Sequence, residues 1–101
     1  MTRPAWIEVV REGDALLIRS LFDSSRDTPK GLRYQLDVSK RGTSGTSTTR
    51  QGGAFEPTLY RTDTLSTVRV GVQAGDTVTA RLEVASPNGL LAEANFREII
   101  R

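Results

Sequence analysis

Arginine gives this sequence its clearest capacity for chemistry: the chain has twelve arginines, two lysines and a formal net charge of +2. A guanidinium group presents a planar fork of N–H donors, so it binds carboxylates and amides with more geometric specificity than an ammonium group does. Six basic residues stand out because they flank a Gly/Ser/Thr segment or alternate with apolar residues. They are Arg33, Lys40, Arg41, Arg50, Arg69 and Arg81. We expect these residues to form a positively charged binding face.

Whether these residues share one face depends on how their strands are arranged. Arg33, Arg69 and Arg81 point outward from three cleanly alternating segments, so they would form a stripe if those strands were neighbours in a sheet. Alternatively, each arginine lies beside an opposite charge, such as Asp37 or Glu83, on an ordinary solvated surface. The sequence leaves both interpretations open.

Composition excludes most catalytic and metal-binding arrangements. The chain has no cysteine and no histidine, which removes thiolate chemistry, the commonest general base and the commonest zinc ligands. Asp14, Asp63 and Asp76 lie in or beside predicted turns, where a carboxylate commonly accepts hydrogen bonds from nearby backbone. Neither a calcium loop nor a phosphate-binding loop is present. We predict no catalytic residue, no metal site and no cofactor.

Nucleic acid is not an expected partner. Stacking platforms for bases need aromatic residues interleaved with the basic ones. Tyr34 alternates with polar residues on the inward side of its segment, and Trp6 is expected to lie at the edge of the core.

Segment 40–53 is polar, rich in glycine, serine and threonine, and free of carboxylates. β-branched threonine favours a strand even where there is little to bury. An exposed edge strand is a template for pairing with other chains, and charges on it normally prevent such pairing. Lys40, Arg41 and Arg50 therefore either protect this edge or provide contacts.

Apolar residues recur with a period of two along most of the chain, which predicts strands. Gly52-Gly53 and Pro57 are expected to end the fourth strand. The last segment also fits a helix through Leu91, Ala94 and Glu98, but we predict a strand because the sixth strand needs a partner. The predicted strands are 6–11, 15–22, 32–40, 43–51 and 65–72, a sixth around 78–84, and a last one at 90–100.

Seven short strands separated by turn signals predict an all-β, immunoglobulin-like β-sandwich of antiparallel strands. A single domain spanning residues 1–101 fits this length. No apolar run approaches the roughly 18 residues of a membrane span. Segment 1–4 lacks the hydrophobic core of a signal peptide, so an exported form would require a leader that is not part of this sequence.

The third predicted strand leads into a segment that resembles the signature of the curli assembly proteins of the CsgC/CsgH family. In that family a basic residue, Gly, a small pair and Gly-x-Ser follow the strand, and a Lys or Arg precedes Gln; residues 40–47 (KRGTSGTS) and 50–51 (RQ) are similar. The turn at 75–78 (GDTV) and the hairpin at 88–89 also look like the family. CsgC-type members carry a Cys-x-Cys pair before this strand, whereas this chain has KGL at 30–32, so it is more similar to the CsgH-type branch.

The resemblance implies a small periplasmic domain that keeps amyloid subunits of the curli system from nucleating before secretion, without a cofactor or catalysis. The implied client is the major curlin, with the minor curlin as a second candidate. Nucleic acid binding and membrane insertion are not implied, and the protein is expected to be a monomer. The six basic residues would meet an acidic, disordered subunit through weak, electrostatically guided contacts.

The residues alone leave a second class of function open. An immunoglobulin-like adhesion or scaffold module of a surface assembly would hold a permanent partner through an edge strand. Donor-strand binding of that kind needs an extended apolar edge. The polar segment 40–53 disfavours this alternative.

Overall fold

The computed structural model describes residues 4–101, so most of the segment considered above for a leader lies outside the described residues. Within the described chain, no helix is long and apolar enough to cross a membrane. The strands are β1 (Ala5–Glu12), β2 (Ala15–Asp23), β3 (Leu32–Gly42), β4 (Gly45–Phe55), β5 (Thr62–Gly71), β6 (Thr77–Ser86) and β7 (Gly89–Ile99).

The seven strands form two antiparallel sheets. One sheet has three strands in the order β1-β2-β5, and the other has four in the order β4-β3-β6-β7. The strand β4 therefore lies beside β3, in the position that strand C′ occupies in variable-type immunoglobulin domains. This arrangement confirms the predicted all-β, immunoglobulin-like sandwich.

Alternate residues of both sheets point inward and form one core. Leu16 and Ile18 come from the centre of the three-stranded sheet, and Leu36 and Val38 come from the facing sheet; each is at most 2 % exposed. Burying a side chain of this size contributes about 1.5–3 kcal/mol. The inward residues predicted for β6 are all buried: Val78, Ala80, Leu82 and Val84.

An aromatic cluster closes one end of the sandwich and corrects the predicted end of the fourth strand. Strand β4 does not stop at Gly52-Gly53 but continues to Phe55. The Phe55 ring packs edge-on against Phe22, with centroids 5.6 Å apart, and against Tyr34, at 6.2 Å. Position 52 requires glycine, because a Cβ atom on Gly52 would lie only 2.9 Å from the carbonyl oxygen of Tyr34.

The other end is closed by a buried carboxylate and the end of the chain. Asp76 is 1 % exposed, and its side chain accepts a hydrogen bond from the backbone N–H of Gln73 at 3.0 Å. The backbone of Ile100 bonds to both Gly75 and Asp76 at 2.8 Å, which places the Ile100 side chain over the core. Gly42 packs against this carboxylate, since a Cβ there would overlap Asp76 Oδ1.

The last segment is a strand, as predicted. Strand β7 pairs with β6, and Ala92, Ala94 and Phe96 pack against the core. A two-residue turn at 87–88 joins the two strands, and Gly89 after it has a φ of 127°, which glycine adopts without strain. At the opposite end of the chain, Trp6 is half-buried on the outer side of its sheet, opposite Leu21.

Candidate functional site

The outer side of the four-stranded sheet carries most of the predicted binding residues. Residues directly opposite each other in antiparallel strands share a face, so the register fixes which side chains lie together. We call this surface the charged face. Its charged members are Arg33, Asp37, Arg41, Arg50, Arg81, Glu83, Glu93 and Arg97.

Asp37 lies at the centre of the charged face, opposite Arg50 on one side and Arg81 on the other. Arg50 Nε donates a hydrogen bond to Asp37 Oδ1 at 2.6 Å, and Gln35 Nε2 donates to Oδ2 at 3.0 Å. The bonds from Gln35 and Arg50 lower the pKa of Asp37 below its usual value. Asp37 therefore stays ionised and orients the Arg50 guanidinium.

Arg81 is held from the opposite side of the same face. Its Nη2 atom lies 2.7 Å from Glu93 Oε2 and 3.6 Å from Glu83 Oε2. The hydrogen bond with Glu93 raises the pKa of Arg81 further above its already high ordinary value. Exposed pairs of this kind contribute only about 0–1 kcal/mol each to stability, so these ion pairs mainly fix side-chain positions.

Three arginines of the charged face have no such partner. Among residues 4–101, no carboxylate lies within ion-pair distance, 4.0 Å, of Arg33, Arg41 or Arg97. All three are exposed. Sequence reasoning missed Arg97. In a strand, the residue after inward-pointing Phe96 points outward, so alternation alone could have identified it.

Two of the six predicted basic residues lie elsewhere. Arg69 is on β5 in the other sheet, where its guanidinium pairs with Glu12 at 2.8 Å. Lys40 has the inward parity of β3, and its Nζ donates a hydrogen bond to the carbonyl oxygen of Gly71 at 3.0 Å, which links the two sheets at one end. The expected stripe of outward-pointing arginines is therefore formed by the neighbouring strands β3 and β6, and Arg69 on β5 is not part of it.

Strand β4 forms the border of the charged face. Residues 45–52 are exposed on both sides of the strand, as predicted for a polar edge. Its pairing with β3 runs without a break from Gly42 opposite Gly45 to Leu32 opposite Phe55. The segment therefore has one free edge along its whole length.

A shallow depression lies where β4 carries no side chain. It has a volume of about 440 Å³, and we call it the Gly52 depression. Gly52 and Gly53 form part of its floor, and Arg33, Gln35 and Leu90 lie around it. Its lining combines apolar side chains with a guanidinium, an amide and the carboxylate of Glu83, which suits a large side chain with a polar end.

Acidic residues elsewhere serve local structure. Thr58 N–H donates to Asp63 Oδ2 at 3.0 Å, and the Asp23 carboxylate accepts a bond from the Thr62 hydroxyl. In the described chain, no three His, Cys, Asp or Glu residues group in a way that could hold a metal ion.

Fold and register together define a small immunoglobulin-like β-sandwich with a charged outer sheet face that is bordered by an exposed edge strand. The CsgH protein family model matches residues 8–92. The chain therefore belongs to the CsgH family, which groups it with the curli accessory proteins.

Two solved structures have the same fold. The solution structure of R. palustris CsgH has a TM-score of 0.70 and 24 % identity, over 91 % of this chain and 88 % of that chain. The E. coli curli protein CsgC has a TM-score of 0.76 and 16 % identity, over 95 % of this chain and 97 % of that chain. A search of curated proteins found no significant match.

Proposed function

We propose that this protein is a periplasmic, chaperone-like inhibitor of amyloid nucleation whose client is a curli subunit, in the first place the major one. Membership of the CsgH family supports the curli system as the setting. The observation that carries the proposal is the charged face, on which five arginines meet three carboxylates and three of the arginines have no carboxylate partner.

This surplus of positive charge suits a weak and fast encounter. Exposed charges act over a Debye length of about 8–10 Å at physiological salt, so they attract an acidic chain before contact. Such steering raises association rates more than affinity. A client met in this way is diverted from early oligomers without being held.

The arginines of the charged face have two roles in this proposal. Arg33, Arg41 and Arg97 are free to bind client carboxylates and side-chain amides. Arg50 and Arg81 keep fixed orientations through their acidic neighbours, so they present their remaining N–H donors to the same client. Of the residues first considered, Lys40 and Arg69 contribute to the net charge but not to this contact.

The direct test is thioflavin-T fibrillation of a purified curli major subunit, with this protein titrated from well below equimolar. We expect a delay at low ratio that shortens as salt is raised, because salt screens exposed charges. No delay at equimolar folded protein would contradict the proposal and favour an adhesion or scaffold module.

A further inference from the structure

The four edge strands of the sandwich differ in how well they are protected against pairing with another chain. Natural edges are protected by charges, prolines or bulges. Strands β5 and β7 each show a register irregularity against their neighbours. Strand β1 carries three charged residues within eight, and one of them, Arg11, has no ion-pair partner among the described residues. Strand β4 has eleven residues, one charge, no proline and an unbroken register.

The single charge on β4 does not protect the edge. Arg50 pairs with Asp37 on the neighbouring strand, at 2.6 Å, so its guanidinium is held on the β3 side and repels only a cationic residue placed directly opposite it. The other residues of the exposed stretch are glycine, serine, threonine and glutamine, which offer no repulsion to an approaching backbone. Of the edges in the described chain, β4 is therefore the one most open to strand addition.

We propose that β4 is a strand-addition site for an extended polypeptide segment of low charge, with hydroxyl and amide side chains on both of its faces. Strand addition takes its affinity from backbone hydrogen bonds and its specificity from the flanking side chains. Both faces of β4 are solvated over residues 45–52, so an added strand would also be solvated on both faces. An amphipathic strand would leave its apolar side in water.

The Gly52 depression adds a size preference at one position. Large side chains on a neighbouring strand often cover a glycine in a sheet. A residue placed beside Gly52 would extend over the depression toward Gln35 and Arg33, the lining side chains on the adjacent strand β3. The added segment is thus expected to carry one aromatic or glutamine side chain at that register position.

A second copy of this chain is a poor occupant. Centred antiparallel pairing of two β4 strands (Gly45–Phe55) would set Arg50 directly opposite the Arg50 of the other copy. Like charges directly opposite each other destabilise a strand pair. A different chain that is uncharged at this position avoids the repulsion, so it is the better occupant.

Strand addition at β4 is how the client of the proposed function would be bound, and in that respect the proposal rests on that function. It is tested without the client, by NMR titration of the isotope-labelled protein with a short capped peptide of glutamine and serine with one central tyrosine. The peptide is uncharged, so electrostatic steering does not contribute. We expect amide shifts concentrated in β4 (Gly45–Phe55), growing to millimolar peptide.

The variant Thr48→Lys/Thr49→Lys places lysines on both faces of β4 and should abolish these shifts. The matched control, Thr64→Lys/Thr67→Lys, adds the same charge to exposed positions of β5 and should retain them. Because the peptide is uncharged, loss of the shifts in the β4 variant cannot arise from a change in electrostatic steering. Absence of β4 shifts, equal shifts in both variants, or β4 shifts that depend on protein concentration without peptide would overturn the proposal. If the peptide causes these shifts but the protein does not inhibit fibrillation, the proposed function is refuted and strand addition at β4 is not.

Discussion

Asp37 shows how single residues set the character of the charged face. It accepts hydrogen bonds from Gln35 and Arg50, and it lies opposite Arg81. Through these contacts one carboxylate fixes the position of a guanidinium while leaving the surface positive overall.

The pKa of Asp37 should rise toward its ordinary value of 3.8 in the variant Arg50→Gln, because a charged hydrogen-bond donor is lost. In the wild type the folded-state pKa is lowered, so the contribution of this carboxylate to stability is complete above the unfolded-state value. It is lost as pH falls through the folded-state pKa. NMR titration of side-chain carboxyl carbons measures the shift. Arg33→Gln removes an unpaired arginine of the same face and should leave this pKa nearly unchanged; equal effects of the two variants would contradict the assignment.

Gly42 provides a second test at the level of one residue. The substitution Gly42→Ala should lower the free energy of unfolding by about 1–3 kcal/mol, because its Cβ would overlap the buried Asp76 carboxylate. Denaturant unfolding measures the difference. Gly71→Ala is the matched control, since a Cβ there meets nothing within 4 Å and should change stability by about 0.5 kcal/mol or less. Equal stability of the two variants would show that Asp76 can move away.

The side of the sheet on which a residue lies could be predicted from the sequence where buried and exposed residues alternate. The inward residues of β6 and the outward position of Arg81 follow from a period of two. The contact that Lys40 makes could not be predicted in this way. Its long side chain, at the end of a strand, reaches across to Gly71, and that contact depends on the spacing between the two sheets.

Strand β4 is anchored at one end only. Its last residue, Phe55, packs against Phe22 and Tyr34, whereas residues 45–52 are exposed and paired with β3 alone. The strand therefore combines a fixed end with a solvated length.

Phe55→Ala should lower the free energy of unfolding by about 2–4 kcal/mol, because it removes the aromatic packing at the closed end. Thr49→Ala, in the exposed part of the same strand, should change it by about 0.5 kcal/mol or less. Thermal or denaturant unfolding distinguishes the two. Similar losses would show that the exposed part of β4 is as important to stability as its anchor.

Strand positions were largely predictable, and the main error has a local cause. Glycine pairs usually interrupt strands, so Gly52-Gly53 was expected to end β4. Here the backbone of Tyr34 approaches so closely that a side chain at Gly52 would collide with it. That requirement arises from the neighbouring strand and has no signature within the segment itself.

At the level of the whole molecule, sheet order decides which arginines lie on the same face. Strands β3 and β6 are neighbours, whereas β5 pairs with β2 in the other sheet. Arg33 and Arg81 therefore share the charged face, and Arg69 does not. The period of two assigns each residue to a side of its strand, but sheet order depends on pairing between distant segments, so this distribution could not be predicted from the sequence.

Under the proposed function, inhibition depends on where the arginines lie rather than on the total charge of the protein. The variant Arg33→Glu/Arg41→Glu reverses two unpaired arginines of the charged face. The control Arg26→Glu/Arg61→Glu makes the same change in net charge at exposed arginines outside the sheets, which have no ion pair among the described residues. None of these four side chains is buried, so both variants should fold.

The most direct measurement is the lag time of curli major subunit fibrillation, at a fixed substoichiometric ratio, for the wild type and these two variants. We predict that the wild type and the control variant delay fibrillation to a similar extent, while the charged-face variant loses most of the delay. Equal loss in both variants would contradict the account, because net charge alone would then explain inhibition. Unchanged delay in the charged-face variant would contradict it as well, since these arginines would then not meet the client.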